Sequence, residues 1–467
     1  MKFANVAEML NAVRPAMEVT DTSVKVTDAA TLRGDLIDRL VNSAVFGDDA
    51  VKSAARWIIW NAAWDLGARS ASVYDLYMAR ARGEYSDVTL PAINIRALSY
   101  DMARAVMRAA KSTQCGTFIT ELARSEMGYT DQTCDEFAAV VSAAAIKEGH
   151  VGPIFMQGDH YQANVKRFKA DPEKELDGLR TLIKQAVAAG FGNIDIDTST
   201  LVDLSYDDLD KQQTDNVESC AKLAKLVRDI EPKGVTVSLG GEIGEVGKHN
   251  STVGELNAFL NGFERLWDGR TGLSKVAINT GSTHGGVVLP DGSIAKVSID
   301  FDVHRELGDA ARGRGLAGTV QHGASTLPAE AFGHFPKAGT LEVHLATEFQ
   351  NMIMDSKHFS PELREEIYAW TRENCAGERK EGQSEEQFIY LNRKQAWGTF
   401  KPQTWAMSAS QRAGIAGELQ AKFEYLMTQL NAANTKELVG KYVKPVKIEK
   451  PMPESLRSAL PVAARTS

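Results

Sequence analysis

Between residues 89 and 360 a short apolar run is followed by an amphipathic stretch eight times over, and no other feature restricts the fold of this chain as much. The runs begin near Leu90 (LPAINI), Gly116 (GTFITEL), Pro153 (PIFMQG), Asn193 (NIDIDTS), Val235 (VTVSLGG), Lys275 (KVAINTG), Gly318 (GTVQHG) and Thr340 (TLEVHLAT). Strands alternating with helices build a parallel sheet. Eight such units in about 270 residues match a (β/α)8 TIM barrel. A doubly wound sheet shares the local pattern. Its glycine-rich dinucleotide turn is absent after the first strand, where Asn94 and Arg96 stand.

The intervening helices carry their own punctuation. One opens at Asp171 as N-cap with Pro172 in the first turn, continues through Leu176, Leu179, Leu182, Ile183, Ala186 and Val187, and stops at Gly190. Another is expected to open with a Thr133-to-Glu136 capping box. The flanks differ from the barrel. Residues 1–88 read as a helical N-terminal extension that packs or forms oligomers, with Leu36, Leu40, Val41 and Val45 at helical spacing. Residues 361–467 read as a helical C-terminal extension with one stripe of Ile415, Leu419, Phe423, Leu426 and Leu430. It ends in an extended tail rich in proline (Pro445, Pro451, Pro453, Pro461).

A formal net charge of −8 argues against a nucleic-acid partner. The four cysteines are scattered and form no CxxC pair, which points to neither a thiolate metal site nor a disulfide framework and fits a reducing cytoplasm. The N-terminus has no long apolar core, so no signal peptide is expected, and no run is long enough to span a membrane.

In a barrel the active site forms at the C-terminal ends of the strands. Three strands end in a histidine flanked by glycine: Gly158-Asp159-His160, Thr283-His284-Gly285 and Gln321-His322-Gly323. Three neutral imidazoles with a vacant position make a catalytic zinc site, and three of the nine histidines fall at such ends. A lone histidine there would more simply be structural. Glu242 ends the fifth strand. Asp159 stands beside a proposed ligand, as general acid/base or as a group orienting that ligand. Asp195 and Asp197 alternate with Ile194 and Ile196 and share one face, with Asp197 nearer the strand end and Asp195 equally readable as a structural cap.

The motifs GDH, IDTS, GGEIGEVG, INTGSTHGG, QHGAS and VHLATE, in this order over residues 89–360, resemble those of class II fructose-bisphosphate aldolases and related ketose-bisphosphate aldolases. The segment KPQTWAMSASQ is similar to the tail of the longer, dimeric subgroup, and ELARSEMGYTDQT to the accessory subunit of tagatose-bisphosphate aldolase. The resemblance implies zinc or another divalent ion on His160, His284 and His322, with Glu242 as an additional or alternative ligand and a monovalent cation as a further candidate. It implies that Asp159 exchanges the C4 hydroxyl proton and that Asp197 sits near the metal. Gly285, Gly323, Ser325 and Thr347 would line the site for the C1 phosphate. The implied reaction is reversible cleavage of a ketose bisphosphate, fructose 1,6-bisphosphate first, to dihydroxyacetone phosphate and an aldehyde. The implied assembly is a homo-oligomer.

Three departures accompany the resemblance. The family's asparagine after the eighth strand is His344. The mobile loop that supplies a proton-transferring glutamate reads Glu245-Val246-Gly247-Lys248-His249-Asn250, which makes His249 and then Glu245 the candidates for that step. The phosphate-binding arginine of the tail corresponds to Gln403, with Lys401 close by. Alternatives are another phosphorylated ketose (tagatose 1,6-bisphosphate or a ketose 1-phosphate), a non-catalytic accessory subunit, a vestigial structural barrel, and a metal-dependent hydrolase. The last commonly takes an HxH pair from its first strand, and PAINIR offers none.

Overall fold

The computed structural model describes residues 2–244, 249–281, 289–290 and 299–461. Eight parallel strands close into a barrel: β1 (Leu90–Asn94), β2 (Ile119–Ala123), β3 (Gly152–Gln162), β4 (Asn193–Asp197), β5 (Ser238–Glu242), β6 (Lys275–Ile278), β7 (Thr319–Gln321) and β8 (Glu342–Leu345). Each pairs with the next, and β8 returns to β1 through Leu90↔Glu342 to Ile93↔Leu345, which closes the ring. The (β/α)8 expectation holds. Helices wrap the outside, so β1, β2, β4 and β5 are buried at every position, as strands of a parallel sheet covered on both faces must be.

Short polar punctuation sets the helix ends. The Asp171 carboxylate accepts the Lys174 N–H, Pro172 enters the first turn, and Gly190 ends the helix at φ +97°. At Thr133 the structure departs from expectation. Its hydroxyl accepts the Glu136 N–H, but the Glu136 carboxylate turns to the Lys401 ammonium, a stronger charged partner than the N-cap amide. The stripe of the helix Ala409–Gln429 is buried against the helix Ser99–Ser112.

The first 88 residues are not wholly helical. Met17–Val19 and Val24–Val26 form a small antiparallel hairpin, and Ala68–Ala71 adds a ninth parallel strand beside Gly152–Phe155. That strand fits because β3 is eleven residues long and β4 covers only its upper half, from Gln157 onward. The tail runs extended to Pro453 and then forms a short helix, Glu454–Ala459. No helix among the described residues is long and apolar enough to cross a membrane.

Where β3 meets β4 the ladder slips: Gly158 faces Ile194 but Tyr161 faces Ile196, so one extra residue bulges. His160 lies in that bulge at φ +41°, a left-handed conformation uncommon outside glycine and one often kept where it aims a functional group. The bulge folds the buried Tyr161 ring back over Gly158, whose missing Cβ would lie 2.4 Å from Tyr161 Cζ. Gly158→Ala is therefore expected to cost about 1–3 kcal/mol by overpacking, measured as a shifted urea midpoint. An unchanged midpoint would show that the ring swings away freely.

Candidate active site

The floor of the site is ionic. Lys275 on β6 projects into the barrel and donates to Gln157 Oε1 at 2.8 Å, Asp195 Oδ2 at 3.0 Å and Glu342 Oε1 at 2.6 Å. Gln157 in turn donates to Glu121 Oε2 at 2.9 Å and to Glu342 Oε1 at 2.7 Å, and the Tyr77 hydroxyl reaches Glu342. Asp195 is thus a barrel ion-pair partner rather than a cap. Burial lifts its carboxyl to about 6, with Lys275 pulling the other way. Lys275 is held as a cation: burial would lower it, but Asp195 and Glu342 prevail and raise it. A charged, paired lysine is no Schiff-base nucleophile.

Above this floor the strand ends converge as the sequence suggests. His160, Glu242 and His322 bring one donor atom each to within 4.8 Å of one another. Glu242 bridges them, its Oε2 3.6 Å from His160 Nδ1 and its Oε1 3.6 Å from His322 Nδ1. The two rings lie 4.0 Å apart between centroids. His284, Gly285 and Glu245 lie outside the described residues.

Asp197 fixes the tautomer of His160. Its Oδ2 lies 2.9 Å from His160 Nδ1 and also accepts from Gln162, while Oδ1 takes the Ser199 hydroxyl. A carboxylate accepts, so Nδ1 carries the hydrogen and Nε2 is left as the donor to a metal. Burial would lower the His160 pKa, but Asp159, Asp197 and Glu242 outweigh it and push it up to about 10. A site that draws protons this strongly also draws a divalent cation, and two imidazoles with a carboxylate suit zinc. The residues present fit such an ion.

His344 could be read as a rival ligand, since it groups with Asp159 and His322, and also with Glu121 and Glu342. Its hydrogen bonds exclude that. Nδ1 meets Asp159 Oδ1 at 2.9 Å and Nε2 meets Glu342 Oε1 at 2.6 Å. Both nitrogens donate, leaving an imidazolium without a lone pair. Burial opposes this charge, but Glu121 and Asp159 raise the pKa well above its usual value.

Asp159 is buried, and its second oxygen accepts from Asn94 Nδ2 at 2.8 Å. Burial would raise its pKa, yet His160 and His344 hold it well below the carboxylate range. It is an ionised base on a fixed mount. Of the other expected residues, Gly323, Ser325, His344 and Thr347 line a cavity of about 700 Å³ with Asp159 and His160. His249 is placed elsewhere: its ring is half exposed and meets Glu255 Oε1 at 2.9 Å. Lys401 is buried against Glu136 and the Asp131 carbonyl, and is not in the cavity wall.

Sequence reasoning assigned no site role to Arg96, Arg124, Arg167, Tyr390 or Lys394, all of which line the cavity. Arg96 carried a usable signal, an arginine just past an apolar barrel strand. Lys394 carried none, because it reaches the cavity from the C-terminal extension.

Among solved structures the chain is similar to a fructuronate-tagaturonate epimerase from Cohnella laeviribosi, at 11% identity and a TM-score of 0.55, covering 91% of this chain and 90% of that one. It is also similar to a fructose-bisphosphate aldolase from Campylobacter jejuni (14% identity, TM-score 0.47, 79% and 98% covered) and to the YdjI aldolase from Escherichia coli K12 (14% identity, TM-score 0.43, 73% and 98% covered). No curated protein matches the chain. Residues 78–427 match the family model described as fructose-bisphosphate aldolase class-II, which covers most of the chain and its barrel, and the chain belongs to that family.

Proposed function

We propose that the protein is a metal-dependent aldolase that reversibly cleaves the C3–C4 bond of a phosphorylated ketose, with fructose 1,6-bisphosphate the first candidate. The carrying observation is the donor set of His160, Glu242 and His322 beside an ionised, immobilised Asp159, with His160 and Asp159 reaching the cavity wall. A divalent ion held by these residues and His284 would supply Lewis-acid stabilisation of the negative charge that cleavage leaves on the three-carbon fragment.

The chain's own residues account for the rest. Asp159 takes the C4 hydroxyl proton, with Asn94 and His344 fixing its two oxygens so that little reorganises during transfer. The C1 phosphate is assigned to Gly323, Ser325 and Thr347. Thr347 opens the helix Thr347–Asp355, whose first N–H groups favour an anion. The C3 proton is assigned to the loop around Glu245 and His249. His249 is paired with Glu255, so taking that role requires its ring to leave that carboxylate.

A second reading rests on fold likeness alone. The epimerase resembles the chain through most of both extensions, and re-addition of the two fragments on the opposite face would invert C4 instead of releasing products. One experiment addresses both. The zinc-loaded protein is given a panel of ketose mono- and bisphosphates, triose phosphate is assayed enzymatically, and the sugars are followed by NMR. Triose phosphate release is the expected result. C4 inversion without release would replace the aldolase reading with the epimerase one, and inertness towards every sugar would refute both.

A further inference from the structure

His344 holds Asp159 in place, but His344 itself has a choice of partners. Among the described residues four carboxylates come within 3.6 Å of its ring nitrogens. Glu121 at 3.4 Å and Asp159 at 2.9 Å face Nδ1, while Asp195 at 3.6 Å and Glu342 at 2.6 Å face Nε2. All four are buried, where little solvent screens one charge from another. A ring with two acceptors competing on each side keeps a single angle only if something else decides between them.

On the Nε2 side the deciding group is Lys275. It reaches across the barrel from the start of β6, and its ammonium meets both competitors: Asp195 through two oxygens, at 2.9 and 3.0 Å, and Glu342 Oε1 at 2.6 Å. It therefore offsets the pull of Asp195 on the ring. It also anchors Glu342, which cannot shift to suit the ring, because Gln157 and the Tyr77 hydroxyl hold that carboxylate too. Burial alone would raise the Glu342 pKa, but Lys275, and then His344, hold it well below the usual carboxylate range. Glu342 and His344 alternate on β8, so both point into the barrel. The links run in series: Lys275 to Glu342, Glu342 to His344 Nε2, and His344 Nδ1 to Asp159 Oδ1. A buried ion pair often adds no stability over apolar residues packed in its place, so this one calls for another use.

We propose that Lys275 is a positioning residue for the proton transfer at C4: by anchoring Glu342 it sets the angle of the His344 ring, and the ring in turn sets the carboxylate of Asp159. Lys275 is not in the wall of the substrate cavity and touches no substrate. The role rests on the reading of Asp159 as the base of a ketose cleavage.

The test is a double-mutant cycle in the zinc-loaded full chain. Its readouts are cleavage of fructose 1,6-bisphosphate and exchange of the C3 proton of dihydroxyacetone phosphate with solvent deuterium. Lys275→Gln should lower kcat for cleavage about 10²-fold, the scale of a reacting group displaced by about 1 Å. KM, zinc content and exchange should stay at the wild-type level. In the Asp159→Ala background the same substitution should cost nothing more, because the group it positions is gone. Lys275→Gln also leaves two buried carboxylates without their counter-ion, which costs stability. If that protein does not fold, Glu342→Gln runs the same cycle, since it cuts the same link and leaves Lys275 paired with Asp195. Exchange lost together with cleavage would mean that the pair only keeps the barrel in shape. A loss in the Asp159→Ala background as large as in the wild type would mean that Lys275 acts independently of Asp159. Either result overturns the proposal, as does undiminished cleavage. A wild type that cleaves no ketose overturns the aldolase reading, and the positioning role with it, before any variant is compared.

Discussion

Removing the metal is expected to abolish ketose cleavage, and zinc or another divalent ion to restore it. His322→Ala should lower kcat/KM by at least about 10³-fold, the scale of several kcal/mol of transition-state charge stabilisation, and should copurify with less metal. Asp197→Ala should weaken metal binding about 10–100-fold, since it holds the His160 ring from behind through Nδ1. The acidity of the site gives this expectation a sign in pH. His160 keeps a proton up to about pH 10 in the carboxylate cluster, with burial opposing and Asp159 favouring it. Metal uptake must displace that proton, so affinity should rise with pH through the neutral range. Metal analysis, activity and proton release during titration check all of this. Undiminished cleavage by metal-free protein, or a lysine adduct trapped with borohydride, would contradict it.

The second large effect falls on Asp159. Asp159→Ala should lose about 10²–10⁴-fold in cleavage while its metal content stays at the wild-type level and the C3 proton of the triose phosphate still exchanges with solvent deuterium. The split arises because Asp159 is proposed to serve the C4 hydroxyl alone. The same exchange assay applied to His249→Ala should show the reverse pattern, with exchange lost. An Asp159 variant that loses metal together with activity would mean that the carboxylate orients His160, 3.8 Å away, and not the substrate. A His249 variant that exchanges normally would move the C3 step to Glu245 or elsewhere.

The barrel could be read from the chain because short runs rich in apolar residues recur eight times between amphipathic stretches, and because caps such as Asp171 and Gly190 bound the helices. That His160 and His322 come together could be read for a related reason: histidines beside glycine at the ends of several apolar runs meet where a barrel closes. Other parts left no local trace. The strand Ala68–Ala71 has the sequence ARSA, with no alternation, and is extended because the long β3 offers it an open lower half; tertiary pairing there overrides propensity. The hairpin of residues 17–26 is too short for its period to show. Lys275 meets Asp195 across 80 positions and Glu342 across 67, and only closure of the ring brings them together. His344 replaces a family asparagine, but its fixed protonation follows from Asp159 and Glu342 on either side, which the sequence does not place.

The reach of Lys394 into the cavity wall from the C-terminal extension has an evolutionary consequence. The groups proposed to break the bond sit on the barrel, where each strand is tied to two neighbours and a change is felt throughout. Tyr390, Leu391 and Lys394 face the same cavity from a segment outside the barrel that is anchored by Arg393 to Asp355 and Asn351. Mutations in that segment can reshape or recharge one wall of the cavity without disturbing the ring of strands. A lineage carrying this arrangement can therefore vary what the cavity admits by drift in an appendage while the barrel stays under purifying selection.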